Sequence, residues 1–204
     1  MNTSVDTPQA LVAAARRLFA RHGYAGASVR AITSLARANL GAVTYHFGSK
    51  AALYDAALAS VTDPFRERVA LAAAGAGPAL QRIERVVHAV FQYLGEQPDF
   101  GRFIPQVMAR GRDVPAPVRR TMEANHRLIA RLIAEGQKDG TIRKGDPRFM
   151  ALSIAAQPFF LTLMQGALRR AMAIDQTKRE TREQLVRSVI QFVRAGLAAR
   201  AEGA

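Results

Sequence analysis

The chain has 204 residues, of which 49% are hydrophobic, and this is enough for one or two domains with a packed core. It contains no cysteine, which excludes disulfides, thiol catalysis and cysteine–zinc sites. The net charge of +13 is most concentrated in the first 50 residues, where six basic residues stand against one acidic residue. This balance suits a polyanionic partner, and basic charge that only keeps the protein soluble is the alternative interpretation.

Apolar residues recur at helical spacing along nearly the whole chain, and no segment shows the alternation typical of a strand. The first helix is expected to end at a left-handed Gly23, with Tyr24 packing back across its end. Asp146 is expected to cap a later helix that starts at Pro147. The sequence therefore predicts an all-α fold of about nine helices, at 8–22, 29–36, 40–47, 50–73, 79–95, 99–109, 118–138, 147–171 and 181–200.

The stretch from Ser28 to Lys50 carries the pattern of two short helices joined by a tight turn and followed by the start of a third. Ser28 is a good N-cap for the first helix, and Asn39 for the second. Val43 and Phe47 lie one turn apart on the inward face of the second helix. Its outer face therefore carries small residues followed by hydrogen-bonding ones. Such a slim, uncharged face can enter the major groove of DNA and touch base edges.

At these residues the chain resembles the TetR family of bacterial transcriptional regulators. The ending Tyr-His-Phe-Gly-Ser-Lys is the most specific part of the match. The resemblance implies a helix-turn-helix head and a helical body that dimerises through its last two helices and holds a small-molecule pocket. We expect the head at 1–48 and the body at 49–204. The match is closest at Gly23, Tyr24, Ser28, Val29, Ile32, Ala36, Asn39 and the run 43–50.

One position departs from the pattern of the family. Arg37 stands where the family usually has glycine, because the turn after the first helix of the motif favours a left-handed residue. If the φ angle of Arg37 is positive, we expect a cost to stability on the order of 1 kcal/mol. Its charge offers an extra phosphate contact.

The residues around the second helix of the motif are the candidate DNA contacts. Thr44 is expected to face the bases, together with the small or apolar residues that precede it. The resemblance implies phosphate contacts for Tyr45, His46 and Lys50, and core packing or a solvated surface is the alternative for the first two. The full predicted set is Ser28, Arg30, Arg37, Asn39, Leu40, Gly41, Ala42, Thr44, Tyr45, His46 and Lys50.

The body carries four polar residues on otherwise apolar stretches, accompanied by phenylalanine and methionine. An apolar cavity with a few polar groups is how ligand sites are built, so these residues predict a pocket for an apolar or aromatic effector. Each polar residue can instead be a core residue with its hydrogen bonds satisfied, or can lie at a solvated edge. The candidate set is His88, Phe91, Gln92, Phe103, Met108, Met122, His126, Gln157, Phe160 and Met164.

The sequence offers little for catalysis. None of the four histidines forms a helical metal pair, and there is no glycine-rich phosphate loop or nucleophile elbow. The glutamates at 67, 84 and 123 accompany arginines, which is typical of solvated surfaces. We therefore expect no enzyme activity, no cofactor and no metal site.

One uncharged run, at 149–168, has 20 residues and is long enough to span a bilayer. Its polar residues and Pro158 favour a helix buried in a bundle or a dimer interface over a membrane segment, and we expect no membrane partner. The first ten residues lack the pattern of a secretory signal, which predicts a cytoplasmic protein.

These features together predict a homodimeric, ligand-responsive repressor that binds a palindromic operator in double-stranded DNA and leaves it when a small molecule binds. The main alternative is a constitutive or architectural DNA-binding protein whose body only dimerises. A helical protein of the membrane surface is the third interpretation.

Overall fold

The computed structural model describes residues 7–97, 100, 103–104, 107 and 113–199. In this part of the chain there are nine helices and no strand, which confirms the all-α prediction. The helix predicted at 99–109 lies mostly outside the described residues. The helices are α1 (Thr7–Gly26), α2 (Val29–Leu35), α3 (Ala42–Phe47), α4 (Lys50–Ala74), α5 (Ala79–Glu96), α6 (Ala116–Lys138), α7 (Pro147–Leu163), α8 (Gln165–Met172) and α9 (Arg179–Leu197).

The described residues form two compact units, and the boundary between them falls inside α4, after Pro64. The first unit contains the described residues up to 64 and those from 100 to 121. The second unit contains residues 65–97 and the described residues from 122 onward.

Local capping and apolar spacing account for the first three helices. Gly23 has a φ of 68°, which interrupts α1 where the sequence predicts its end. Tyr24 then stacks on Phe19 with ring centroids 5.9 Å apart, as expected. The Ser28 hydroxyl accepts a hydrogen bond from the Ala31 backbone N–H at 3.1 Å and so caps α2. These contacts confirm the predicted signals at the start of the chain.

The start of α3 differs from the prediction. The helix begins at Ala42 rather than Leu40, and its N-cap is Gly41, which has no side chain to cap with. The Ala42 backbone N–H donates to the Asn39 carbonyl oxygen at 3.1 Å, so Asn39 closes a turn through its backbone. Leu40 and Gly41 therefore lie in the turn that leads into α3.

The second unit is built around α5, whose apolar face is buried as the spacing predicts. The expectation that Glu84 of this helix lies on a solvated surface is wrong, since its side chain is only 13% exposed. The Arg194 guanidinium donates to both Glu84 carboxylate oxygens, at 2.6 and 2.7 Å, and joins α9 to α5. The buried residues of the predicted α5 face are Ile83, Val86, Val87, Val90, Phe91 and Leu94.

Two arginines of α5 donate hydrogen bonds to the end of α4 and to the turn that follows it. Arg82 donates to the Ala73 carbonyl oxygen at 2.8 Å, and its other nitrogen donates to Glu135 of α6 at 2.8 Å. Arg85 donates to the carbonyl oxygens of Gly75 and Ala76, both at 3.0 Å. Because the last carbonyls of a helix lack intrahelical partners, these bonds stabilise the connection between α4 and α5.

The predicted cap of α7 is confirmed. Pro147 occupies the first turn, and the Asp146 carboxylate accepts from the Arg148 backbone N–H at 2.8 Å. The Arg148 guanidinium also donates to Asp146, and these two sets of hydrogen bonds lower the pKa of Asp146 to about 2. The capping carboxylate is therefore held in its ionised form.

The prediction of a single helix at 147–171 is wrong, because the helix is broken at Met164. Met164 has a ψ of 2°, outside the α-helical range, and α7 and α8 meet there at 66°. Among the described residues, no single helix is long and apolar enough to cross a membrane. The bent pair of α7 and α8 meets that criterion by length and composition only.

Candidate nucleic-acid interface

The outer side of α3 and the turn before it form an exposed, uncharged surface. Tyr45 is 84% exposed and Leu40 is 54% exposed. Gly41, Thr44 and His46 are also exposed. These five residues combine an apolar contact, a position without a side chain, a hydroxyl, a phenol and an imidazole. We call them the α3 surface.

Two residues of α3 lie on its packed side. Ala42 is 5% exposed and Val43 is 2% exposed. The burial of Val43 agrees with its assignment to the inward face. Ala42, which we expected beside the bases, is packed inside the first unit and is not part of the α3 surface.

Three of the predicted phosphate-binding residues have solvent-exposed side chains. Ser28, Arg30 and Asn39 are exposed, and the Ser28 hydroxyl already accepts one hydrogen bond as the cap of α2. From Thr7 to Lys50 the sequence contains no acidic residue. Nothing in this stretch of the chain therefore opposes the approach of a polyanion.

Arg37 adopts the left-handed conformation that the sequence indicated, with a φ of 54°. Its backbone N–H donates to the Ser34 carbonyl oxygen at 3.2 Å, and the next N–H, of Ala38, donates to Thr33 at 2.9 Å. These bonds satisfy the last carbonyls of α2, which is the usual use of a left-handed residue after a helix. The Arg37 side chain is exposed, so its charge faces solvent.

Lys50 is the first residue of α4, directly after the α3 surface and the turn at Gly48. The Ser49 hydroxyl accepts from the Ala52 backbone N–H at 3.1 Å and caps this helix. The Lys50 ammonium lies 4.5 Å from the centroid of the Tyr24 ring, in a cation–π contact. Sequence reasoning assigned Tyr24 to packing alone, because nothing local to Lys50 reveals a partner 26 positions earlier.

A slim uncharged surface with cations beside it is the arrangement that a helix-turn-helix presents to a major groove. Comparison with known proteins decides the family. Residues 11–57 match the model of bacterial regulatory proteins of the tetR family, and residues 80–193 match the tetracyclin repressor-like C-terminal domain. The chain belongs to the TetR family. It is therefore a transcriptional regulator with a helix-turn-helix DNA-binding domain, as the resemblance implied.

A curated relative of this TetR-family protein is the HTH-type transcriptional repressor AcnR of Corynebacterium efficiens. The two are 42% identical over 50 residues, which are 24% of this chain and 27% of AcnR. The chain thus matches about a quarter of the length of that relative.

Two solved structures share their fold with this TetR-family chain over nearly all of its length. One is a transcriptional regulator of Saccharomonospora viridis in complex with choline, with a TM-score of 0.74 and 22% identity, over 95% of this chain and 98% of that one. The other is the fatty acid degradation regulator FadR of Bacillus halodurans, with a TM-score of 0.75 and 18% identity, over 98% and 100%.

The predicted effector residues of α5 do not share one side of the helix. His88 and Gln92 are exposed, whereas Phe91 is buried. Phe103 belongs to the first unit, where its ring lies 6.4 Å from Phe19 and 5.6 Å from Tyr54. Met108 lies outside the described residues.

The remaining predicted effector residues lie on α6, α7 and the break after α7. The His126 Nε2 atom is 2.9 Å from the Arg148 carbonyl oxygen. Met122 and Phe160 are exposed, while Gln157 and Met164 are half-buried. Among the described residues no group of histidine, aspartate and glutamate is arranged to hold a metal ion.

A cavity that the sequence did not indicate lies in the first unit. Its volume is about 220 Å³, and none of the ten predicted effector residues lines it. Its walls come from α1, α4 and the segment before α6, which are far apart in the sequence. The lining residues are Tyr24, Ala51, Tyr54, Asp55, Val107, Asp113 and Pro115.

Proposed function

We propose that this TetR-family regulator is a dimeric repressor that binds a palindromic operator through the α3 surface of each protomer. The observation that carries the proposal is the exposed, uncharged surface of Leu40, Gly41, Thr44, Tyr45 and His46 beside a stretch without acidic residues. Thr44 and Leu40 would contact base edges, Leu40 through apolar contact with a thymine methyl. The regulator would act in the cytoplasm, where a bacterial chromosome lies.

Phosphate contacts fix the position of such a helix on the duplex without reading its sequence. We assign this role to Tyr45 and His46 of the α3 surface and to polar or cationic side chains near it in the sequence. Arg37 adds a cation at the position where the family usually has glycine. The proposed phosphate-binding set is Ser28, Arg30, Arg37, Asn39, Tyr45, His46 and Lys50.

Dimerisation would use α7 and α9, whose outer sides carry large apolar residues. Phe149, Leu152, Phe160 and Leu163 of α7 are exposed, and Phe192 of α9 is 69% exposed. An isologous four-helix interface between two copies would cover these side chains. It would also let two heads reach successive major grooves, about 34–36 Å apart, on one face of the DNA.

The effector of the proposed repressor would be apolar or aromatic. A regulator of fatty acid degradation shares the fold, and a second relative binds choline, which supports a small-molecule effector in this chain too. The second candidate function is constitutive DNA binding. It is favoured by the exposure of His88 and Gln92, because these side chains do not lie on a buried wall.

The experiment for DNA binding compares Lys50→Ala with Thr44→Ala in a salt titration of affinity. Lys50→Ala should weaken binding about equally on operator and random duplexes and reduce the salt slope by roughly one unit for each head. Thr44→Ala, which changes no charge, should keep the slope and alter base preference. If Lys50→Ala leaves the salt slope unchanged, Lys50 does not contact a phosphate.

Gln157→Leu separates the two candidate functions. In the repressor, operator release by an apolar or aromatic compound weakens while DNA binding without the compound stays near normal. Linkage requires that operator DNA lower the affinity for the compound by the same factor. Loss of DNA binding with a retained response would make Gln157 a structural residue instead.

A further inference from the structure

The cation–π contact between Lys50 and Tyr24 joins the proposed phosphate contact to the core of the first unit. The Lys50 ammonium lies 4.5 Å from the Tyr24 ring centroid. The two residues belong to different helices, α4 and α1, and both are half-buried. The contact therefore holds the charged end of a long side chain.

Tyr24 is itself fixed by other rings. It stacks on Phe19 at 5.9 Å with 19° between the planes, and its edge meets Tyr54 at 4.9 Å and 69°. Phe19 is fully buried and packs on Tyr54 in turn, at 4.9 Å. The ring under the Lys50 ammonium is thus part of an aromatic cluster contributed by α1 and α4.

A lysine at a phosphate contact loses side-chain entropy when it is ordered, and this loss is among the largest for long, flexible side chains. A contact that orders the side chain before DNA arrives removes part of that loss from binding. The ammonium carries three N–H donors, and a ring face on one side leaves donors free for phosphate oxygens on the other.

We propose that Tyr24 is a positioning residue that holds the Lys50 ammonium in place for a DNA phosphate. The inference rests on the proposed DNA-binding role of Lys50. Tyr24 itself touches no base or phosphate in this arrangement, and its effect on DNA passes through Lys50 alone.

The test is a double-mutant cycle on operator affinity. Tyr24→Leu should weaken binding about two- to fivefold for each head, which corresponds to an exposed cation–π contact. The matched control Tyr24→Phe retains the ring and should bind within twofold of the parent. In a Lys50→Ala background, Tyr24→Leu should cause no further loss.

Three results of this cycle would overturn the proposal. Tighter binding by Tyr24→Leu would mean that the ring competes with phosphate for the ammonium. An equal loss in the Lys50→Ala background would mean that Tyr24 only maintains the fold. A loss for Tyr24→Phe equal to that for Tyr24→Leu would assign the effect to the hydroxyl.

Tyr24→Leu removes a ring from the aromatic cluster and so changes its packing. A second probe therefore keeps an aromatic ring at position 24. A trifluorinated phenylalanine at position 24 preserves packing and weakens the negative ring face. It should reduce operator affinity relative to Tyr24→Phe only when Lys50 is present. If the fluorinated protein and Tyr24→Phe bind the operator equally tightly while Lys50 is present, positioning by the ring is refuted.

The outcome for Tyr24 is separable from the proposed function. If Lys50 contacts no phosphate, Lys50→Ala leaves the salt slope unchanged and the proposed function loses that contact. If only the positioning role is wrong, Lys50→Ala still lowers the slope while Tyr24 shows no coupling to it.

Discussion

Replacing Arg37 with glycine should stabilise the protein, because the backbone there has a φ of 54°. A left-handed conformation costs an L-residue roughly 1–2 kcal/mol, and glycine avoids this cost. Glycine also adds conformational entropy to the unfolded chain, which offsets about 0.4–1 kcal/mol of the gain. The net increase in the free energy of unfolding should be about 0.5–1 kcal/mol. For a chain of this size, the thermal midpoint should rise by about 1–4 °C.

Arg37→Ala is the matched control, since it removes the same charge and keeps the Cβ atom that causes the strain. Thermal and urea unfolding of the parent and both variants, followed by circular dichroism, isolates the backbone term as the difference between glycine and alanine. Both variants should also lose the same phosphate contact and show equally reduced salt slopes on DNA. A glycine variant no more stable than the alanine variant would refute the strain argument.

The remaining predictions concern the second unit. Phe192→Glu places a charge on the exposed apolar side of α9 and should give monomers or insoluble protein, whereas light scattering should find a dimer for the parent; a stable parent monomer would contradict the interface. The Arg148 guanidinium lowers the pKa of Asp146 to about 2, so the stability from this carboxylate is present above about pH 3.8 and lost as pH falls towards 2. Asp146→Asn keeps a capping side chain but does not titrate, so its free energy of unfolding should fall less between pH 4 and 2 than that of the parent. An equal fall for both proteins would contradict the stabilising role of the ionised carboxylate. In Gly136→Ala the new Cβ would lie 2.5 Å from the Cδ1 atom of buried Ile142, and we expect a loss of about 1–2 kcal/mol despite the better helix propensity of alanine. A midpoint at or above that of the parent would show that Ile142 can move.

Several features of the fold could be predicted because their causes lie within a few residues of each other. The cap at Ser28, the interruption at Gly23 and the cap of α7 each depend on one side chain and a nearby backbone group. The bounds of α5 and α6 follow from apolar spacing within the helix itself, and the structure places them within two residues of the prediction. The six residues from Tyr45 to Lys50 were the most specific indication of the TetR family.

The start of α3 and the break at Met164 could not be predicted from the same signals. Asn39 has the side chain of an N-cap but closes the turn through its carbonyl. The apolar run at 149–168 continues through Met164, and its proline and glycine, at 158 and 166, do not mark the position of the break. Where a helix starts or breaks in such a run depends on what it packs against, and composition does not record this.

Tertiary structure also decided which side chains meet. Glu84 binds Arg194, 110 positions away, and Lys50 meets Tyr24 across two helices. The exposure of His88 follows from which face of α5 is buried, so a polar residue among apolar ones did not indicate a pocket wall. Helical periodicity and caps are local properties of the chain, and the sequence by itself determined the helices and the DNA-binding motif. Ion pairs, ring contacts and cavities arise where distant segments pack together, so only the folded chain placed them.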